Sequence, residues 1–124
     1  MERTIPTGSI FWFESEGQDN EEQKKHPWVV VSGPEYHSRM KLVLAVPMTS
    51  VDSEQPFYVR VKPEDVHRIT EVPHPLSADH CSRMIKAGKL RHFSIERVEP
   101  IVGKLESRAV FIRILDAIQQ AFRL

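Results

Sequence analysis

Two runs organise this chain: His26-Pro27-Trp28-Val29-Val30-Val31-Ser32-Gly33 and Leu42-Val43-Leu44-Ala45-Val46-Pro47-Met48-Thr49-Ser50. Both are apolar, rich in β-branched residues, of strand length and bounded by turn formers, a pattern that marks central strands buried on both faces rather than amphipathic helices. They are expected to pair antiparallel across the Pro34–Lys41 connection. That pairing sets the start of the first run beside the end of the second, so His26 and Thr49 share one rim. The ends of the runs carry chemistry: the cluster Lys24-Lys25-His26 leads into the first, and the hydroxyls of Thr49 and Ser50 close the second.

Upstream, Thr7-Gly8-Ser9 signals a turn and Ile10–Glu14 reads as the first strand. Ser15–Lys25 is polar and aperiodic and is expected to be a long mobile loop. Trp28–Ser32 is then the second strand, Glu35–Met40 a helical turn and Leu42–Met48 the third strand. Downstream, Val51–Pro56 is a second polar loop, and Phe57–Val61 alternates like a half-exposed strand ended by Lys62-Pro63. Glu64–Glu71 fits neither period. Val72-Pro73-His74-Pro75 is expected to be extended, because the residue before a proline is pushed out of the helical region. Leu76–Met84 alternates imperfectly as another strand, and the basic Ile85–Phe93 reads as a short helix. Val98–Leu105 is the last strand, with Pro100 implying an edge position or a bulge. Glu106-Ser107 offers a cap to a C-terminal helix in which Val110, Phe111, Ile114, Leu115, Ile118 and Phe122 recur at helical spacing, opposite Arg113, Asp116, Gln120 and Arg123. Short strands, polar loops and one closing helix make a mainly β (α+β) chain, a small antiparallel barrel or half-barrel.

Composition bounds the function. The 124 residues suit one domain, small enough that a second copy is expected to cover part of its apolar surface in a homodimer. No apolar run approaches the roughly 20 residues of a membrane span, and Met1-Glu2-Arg3 begins no signal peptide, so a cytoplasmic setting without membrane attachment is expected. The single Cys81 excludes an internal disulfide and argues against a thiolate metal site. The formal net charge of +0 hides an asymmetry: every charge from Glu14 to Glu22 is acidic, whereas Arg83, Lys86, Lys89 and Arg91 follow one another with no acid between Asp79 and Glu96. Such a strip is either a solvated face or a cradle for a phosphate backbone. Phosphate loops, glycine-rich dinucleotide turns, nucleophile elbows and paired metal-ligand spacings are absent from the sequence, and no cofactor is expected. His74, His80 and Asp79 do not make a metal site, since neighbouring strand residues point to opposite faces.

The order Gly8-Ser9-Ile10-Phe11-Trp12, Glu22-Gln23, His26-Pro27-Trp28-Val29-Val30-Val31-Ser32, Val46-Pro47-Met48-Thr49-Ser50, Pro56-Phe57, Ala78-Asp79 and Val102-Gly103-Lys104-Leu105 before a terminal helix resembles the MazF/PemK family of toxin endoribonucleases. The resemblance covers nearly the whole chain, so that 1–124 would be a single toxin domain. It implies a dimeric SH3-like barrel with a C-terminal helix that cleaves single-stranded RNA, usually messenger RNA at short sequences, and that is silenced by an antitoxin whose tail binds along the dimer. The reaction needs no metal: the ribose 2′-hydroxyl attacks the adjacent phosphate, leaving a cyclic phosphate and a 5′-hydroxyl. It requires a base, an acid and donors for the developing phosphorane charge.

Carried over residue by residue, the resemblance makes Thr49 the active-site threonine, with Ser50 beside it, and Glu22 or Glu21 the loop glutamate that serves as base in some relatives. Asp79 matches a strand aspartate, although Ser77 stands where those relatives have arginine, leaving Arg83 to reach across. Members of the family carry arginine before the proline of the second strand, whereas this chain has His26, led by Lys24 and Lys25; a histidine is both a proton carrier near neutral pH and, when protonated, a phosphate donor. His26, Thr49, Glu22 and Asp79 are therefore the expected catalytic residues, and Lys24, Lys25, Ser50, Glu21, Gln23 and Arg83 the expected RNA contacts. Two further readings stand beside this one. A catalytically drifted barrel would bind antitoxin or RNA without cutting. A gyrase poison like CcdB would act through a C-terminal tryptophan, but this chain ends Phe122-Arg123-Leu124 and keeps Trp12 and Trp28 in expected strands.

Overall fold

The computed structural model describes residues 4–14, 25–49, 53–98 and 100–123. Strand β1 (Ser9–Glu14) lies antiparallel to β2 (Lys25–Val30), with Ile10 opposite Val29, Phe11 opposite Trp28 and Phe13 opposite His26. The chain returns through helix α1 (Pro34–Met40), which starts on a proline where no N–H is required and ends on Lys41 at φ 56. Strand β3 (Leu42–Thr49) then pairs antiparallel with β2, Trp28 opposite Pro47 and Val30 opposite Ala45. The paired apolar runs are thus the centre of the sheet, as their continuous hydrophobicity requires.

Strands β4 (Tyr58–Arg60), β5 (Val66–Arg68), β6 (Met84–Lys86), β7 (Arg91–Ser94) and β8 (Ile101–Leu105) complete one antiparallel sheet in the order β4-β6-β3-β2-β1-β8-β5. Strand β3 serves two partners in succession: Leu42–Ala45 pair with β7, and Met48–Thr49 pair with β6. Changing partner along one strand curls the sheet into a half-barrel. Alternation divides each strand between two apolar layers. Ile10, Val29, Val46, Met48 and Val102 point to the layer closed by helix α2 (Arg108–Ala121) through Val110 and Ile114. Phe11, Trp28, Val30, Val43, Ala45 and Phe93 face the other way, under Ile5 and Val98.

Several expectations change. Lys25 and His26 already belong to β2, which begins three residues earlier than Trp28; the rest of the expected mobile loop, 15–24, lies outside the described residues. Leu76–Met84 is not one strand: Asp79–Cys81 forms a 3₁₀ turn and only Met84 enters β6. That turn buries Leu76 and Cys81 into the half-barrel, so apolar side chains at irregular spacing plug a mouth instead of lining a face. The basic Ile85–Phe93 is β6, a 3₁₀ turn at Ala87–Lys89 and β7 rather than a helix. His74 sits at φ 55 instead of extended, and its carbonyl accepts a 2.7 Å hydrogen bond from Trp12 Nε1. Pro100 precedes β8, which is interior between β1 and β5, and the expected bulge falls where the register slips between Ile10 and Phe11. Helix α2 is capped as expected, Ser107 Oγ accepting from the Val110 N–H at 3.2 Å, but Leu115 and Phe122 are 42% and 54% exposed. The apolar arc of the helix is wider than the sheet it covers.

Candidate active site

The recorded β2–β3 ladder ends at Trp28–Pro47. Pro27 and Pro47 carry no N–H, so regular bonding stops there. The same register extended by two residues sets half-buried His26 level with buried Thr49. Both side chains take the face of Trp28 and Ala45, since they stand at even spacing from these residues. Thr49 is also paired with Met84, which brings Arg83, the preceding residue, to the same end. The rim expected from the sequence therefore gathers His26, Thr49, Arg83 and Lys25. Glu21, Glu22, Gln23, Lys24 and Ser50 lie outside the described residues.

Asp79 and Arg83 form an ion pair one turn apart, Arg83 Nη2 to Asp79 Oδ2 at 3.1 Å, with the arginine side chain 18% exposed and the carboxylate 84%. Asp79 is thus on a turn, not a strand, and Arg83 reaches it along the same segment. Between them stands His80, whose Nδ1 accepts from the Ser77 backbone N–H at 2.9 Å and lies 2.8 Å from Ser77 Oγ. A ring nitrogen that accepts these bonds leaves the proton on Nε2, so His80 is a neutral donor. Burial, reinforced by the Arg83 charge and opposed by Asp79, lowers its pKa from 6.5. The ring meets Trp12 edge to face at 4.9 Å, and the two line a groove of about 370 Å³ with Lys25, His74 and Pro75. Trp12 and Lys25 take the face opposite to His26, so the groove lies around the end of β2 from the His26–Thr49 pair. The sequence marked none of Trp12, His74 and His80 as site residues; the Ser77-x-x-His80 spacing was the available signal, because a serine three residues before a histidine bonds it within one turn.

On the His26 face, Phe93 joins Phe11, Phe13 and Trp28 in an aromatic cluster with ring centroids 5.2, 4.7 and 4.9 Å away. The Arg91 guanidinium lies 5.0 Å from the Phe13 ring centroid and 5.2 Å from that of Phe93. At the other end of the hairpin, buried His37 fixes the same two strands. Its Nδ1 is 2.9 Å from the Ile5 carbonyl and its Nε2 2.6 Å from Ser32 Oγ, which accepts from the Leu44 N–H at 2.9 Å. A carbonyl only accepts, so Nδ1 carries the proton and Ser32 donates to Nε2. Burial lowers the His37 pKa, against the raising effect of its bonds to Ile5 and Ser32. Among the described residues, no group of three or more His, Cys, Asp or Glu is placed to hold a metal ion, and no helix is long and apolar enough to cross a membrane.

A curled antiparallel half-barrel with a closing C-terminal helix is the MazF-like fold. The structure of an endoribonuclease from a mycobacterial species matches it with a TM-score of 0.69 at 18% identity, over 98% of this chain and 94% of that one. A mycobacterial endoribonuclease in complex with its cognate antitoxin matches with 0.70 at 19%, over 97% and 96%. MazF from Deinococcus radiodurans matches with 0.69 at 15%, over 99% and 100%. No curated protein matches by sequence. The chain belongs to the PemK-like, MazF-like toxins of type II toxin–antitoxin systems, whose family profile matches residues 7–122.

Proposed function

We propose that this toxin is a metal-independent, sequence-specific endoribonuclease, a single domain over 1–124 that works as a homodimer in the cytoplasm on single-stranded messenger RNA. Its cognate antitoxin holds it inactive. The observation that carries this reading is the juxtaposition of His26 with Thr49 at a rim flanked by Lys25 and Arg83. Thr49 donates its hydroxyl to the scissile phosphate. His26 exchanges the proton of the 2′-hydroxyl or of the leaving 5′-oxygen, with Glu22 or Glu21 as the second proton carrier. Lys24, Lys25, Gln23 and Ser50 bind the flanking nucleotides, and Arg83 orients Asp79 towards them. The exposed apolar residues Ile112 and Leu115 on α2 and Phe122 at its C-terminal cap support a second copy as partner, as does the antitoxin-bound relative for the regulated complex.

The test is incubation of the purified protein with a long single-stranded RNA in EDTA, followed by identification of the end groups. A 2′,3′-cyclic phosphate and a 5′-hydroxyl are expected, and His26→Ala and Thr49→Ala are each expected to slow cleavage on the order of a hundredfold. Intact RNA that still binds would select the second reading, a drifted barrel, which the histidine at position 26 favours. Rates for His26→Ala within a few-fold of native would move the proton transfer to the glutamates.

A further inference from the structure

We infer that Arg91 is the phosphate-binding cation of the cleavage site, presented to the RNA from an aromatic shelf. The inference rests on the endoribonuclease reading and assigns a residue to it. Arg91 stands on β7 directly opposite Ala45 of β3, and its guanidinium lies over the rings of Phe13 and Phe93 at 5.0 and 5.2 Å. Phe13 is the cross-strand partner of His26. Residues directly opposite in an antiparallel pair share a face and have Cβ atoms about 5 Å apart, so the guanidinium lies on the order of one side-chain length from the imidazole, on the face that also holds Thr49.

The chemistry of the contact selects the ligand. Arginine stacked on an aromatic ring keeps its planar N–H edge available, and that edge matches the oxygens of a phosphate in a bidentate pair. The shelf limits the rotamers of a side chain that is exposed on its outer edge, which lowers the entropy lost when a phosphate binds. The other cations at this end are placed differently: Arg83 is tied to Asp79, and Lys25 takes the opposite face. Arg60 shares the face of Thr49 as well, being opposite its partner Met84, but it stands two strands beyond Thr49, whereas Arg91 lies over Phe13, the cross-strand partner of His26.

The experiment measures binding of an uncleavable 2′-O-methyl RNA over a series of salt concentrations, alongside cleavage of the unmodified RNA. Arg91→Ala is expected to weaken binding roughly tenfold and to reduce the slope of log K against log salt by about 0.7, the value of one phosphate contact on a single strand. Arg91→Lys is expected to restore most of the slope but only part of the affinity, since ammonium keeps the charge and loses the planar edge. An Arg91→Ala protein with unchanged slope and affinity overturns the inference, even if its melting temperature falls, because the arginine then only covers the aromatic cluster. In that event cleavage by the native protein leaves the endoribonuclease reading standing. A native protein that neither binds nor cuts RNA overturns both.

Discussion

Replacing His37 with alanine tests whether one buried imidazole pins the β2–β3 hairpin. The side chain is 2% exposed and joins three segments through Ile5, Ser32 and, by way of the serine hydroxyl, Leu44. Its removal leaves the Ile5 carbonyl and the Ser32 hydroxyl without their partner in a dry site. Each unsatisfied buried group costs about 1–3 kcal/mol, and the vacated ring volume adds a cavity term. A loss of about 3–5 kcal/mol is expected, a large part of the 5–15 kcal/mol that holds an ordinary domain together. The melting temperature should fall on the order of 10 °C or more. Ser32→Ala removes the same bond from the other side and also strands the Leu44 N–H, so the double variant should cost clearly less than the sum of the two.

Stability also depends on pH with a definite sign. Burial holds the His37 pKa below its ordinary 6.5, so below that value the unfolded chain binds a proton that the folded protein refuses. Stability is flat with respect to this group above 6.5 and falls as the pH drops below it, by at most about 1.4 kcal/mol per pH unit, levelling once the folded imidazole is protonated. His80, lowered chiefly by its own burial, adds a contribution of the same sign. The His37 share is therefore the difference between the native and His37→Ala curves, read from urea unfolding followed by tryptophan fluorescence. A His37→Ala loss below about 1 kcal/mol, or an acid slope identical in the two proteins, would refute the reasoning.

Gly103→Ala should destabilise by about 1–3 kcal/mol in the same urea assay, because an added Cβ would meet Leu76 Cδ1 at 2.9 Å and the His67 carbonyl at 3.0 Å. Ser107→Ala should cost about 1 kcal/mol through loss of the bond to the Val110 N–H, and Ser107→Asp, which keeps an acceptor at the cap, should recover most of it in a thermal melt.

The central strands were legible because their signal is local. A β-branched apolar run with turn formers at both ends has few alternatives, and Ser107 followed by helical spacing has fewer still. The stretch between Glu64 and Phe93 was not, because its structure is decided elsewhere. Leu76 and Cys81 alternate poorly because they fill the mouth of the half-barrel before and at the end of a 3₁₀ turn, and no period describes a plug. His74 takes a left-handed φ while its carbonyl binds Trp12, a residue 62 positions away, which local proline rules do not anticipate. At the rim, register arithmetic was enough to bring His26 and Thr49 together. It was blind to Arg91, whose place depends on β3 exchanging β7 for β6 halfway along its length.

That exchange explains why reactive groups collect at this end. Where β3 leaves β7 and takes β6, Pro27 and Pro47 withhold their ladder donors, so the sheet opens at the rim while the buried runs behind it and the His37 lock hold the strands in register. Consecutive residues of β2 then point to opposite faces: Lys25 with Trp12 and the His80 groove, His26 with Phe13 and Arg91. On the proposed reading, an RNA strand cut at the His26–Thr49 pair would cross the end of the sheet, with Arg91 on the side of the scissile phosphate and the Trp12–His80 groove around the edge from it. The alternation that sorts apolar residues into two layers within the core thus sorts polar ones onto two faces where the core ends.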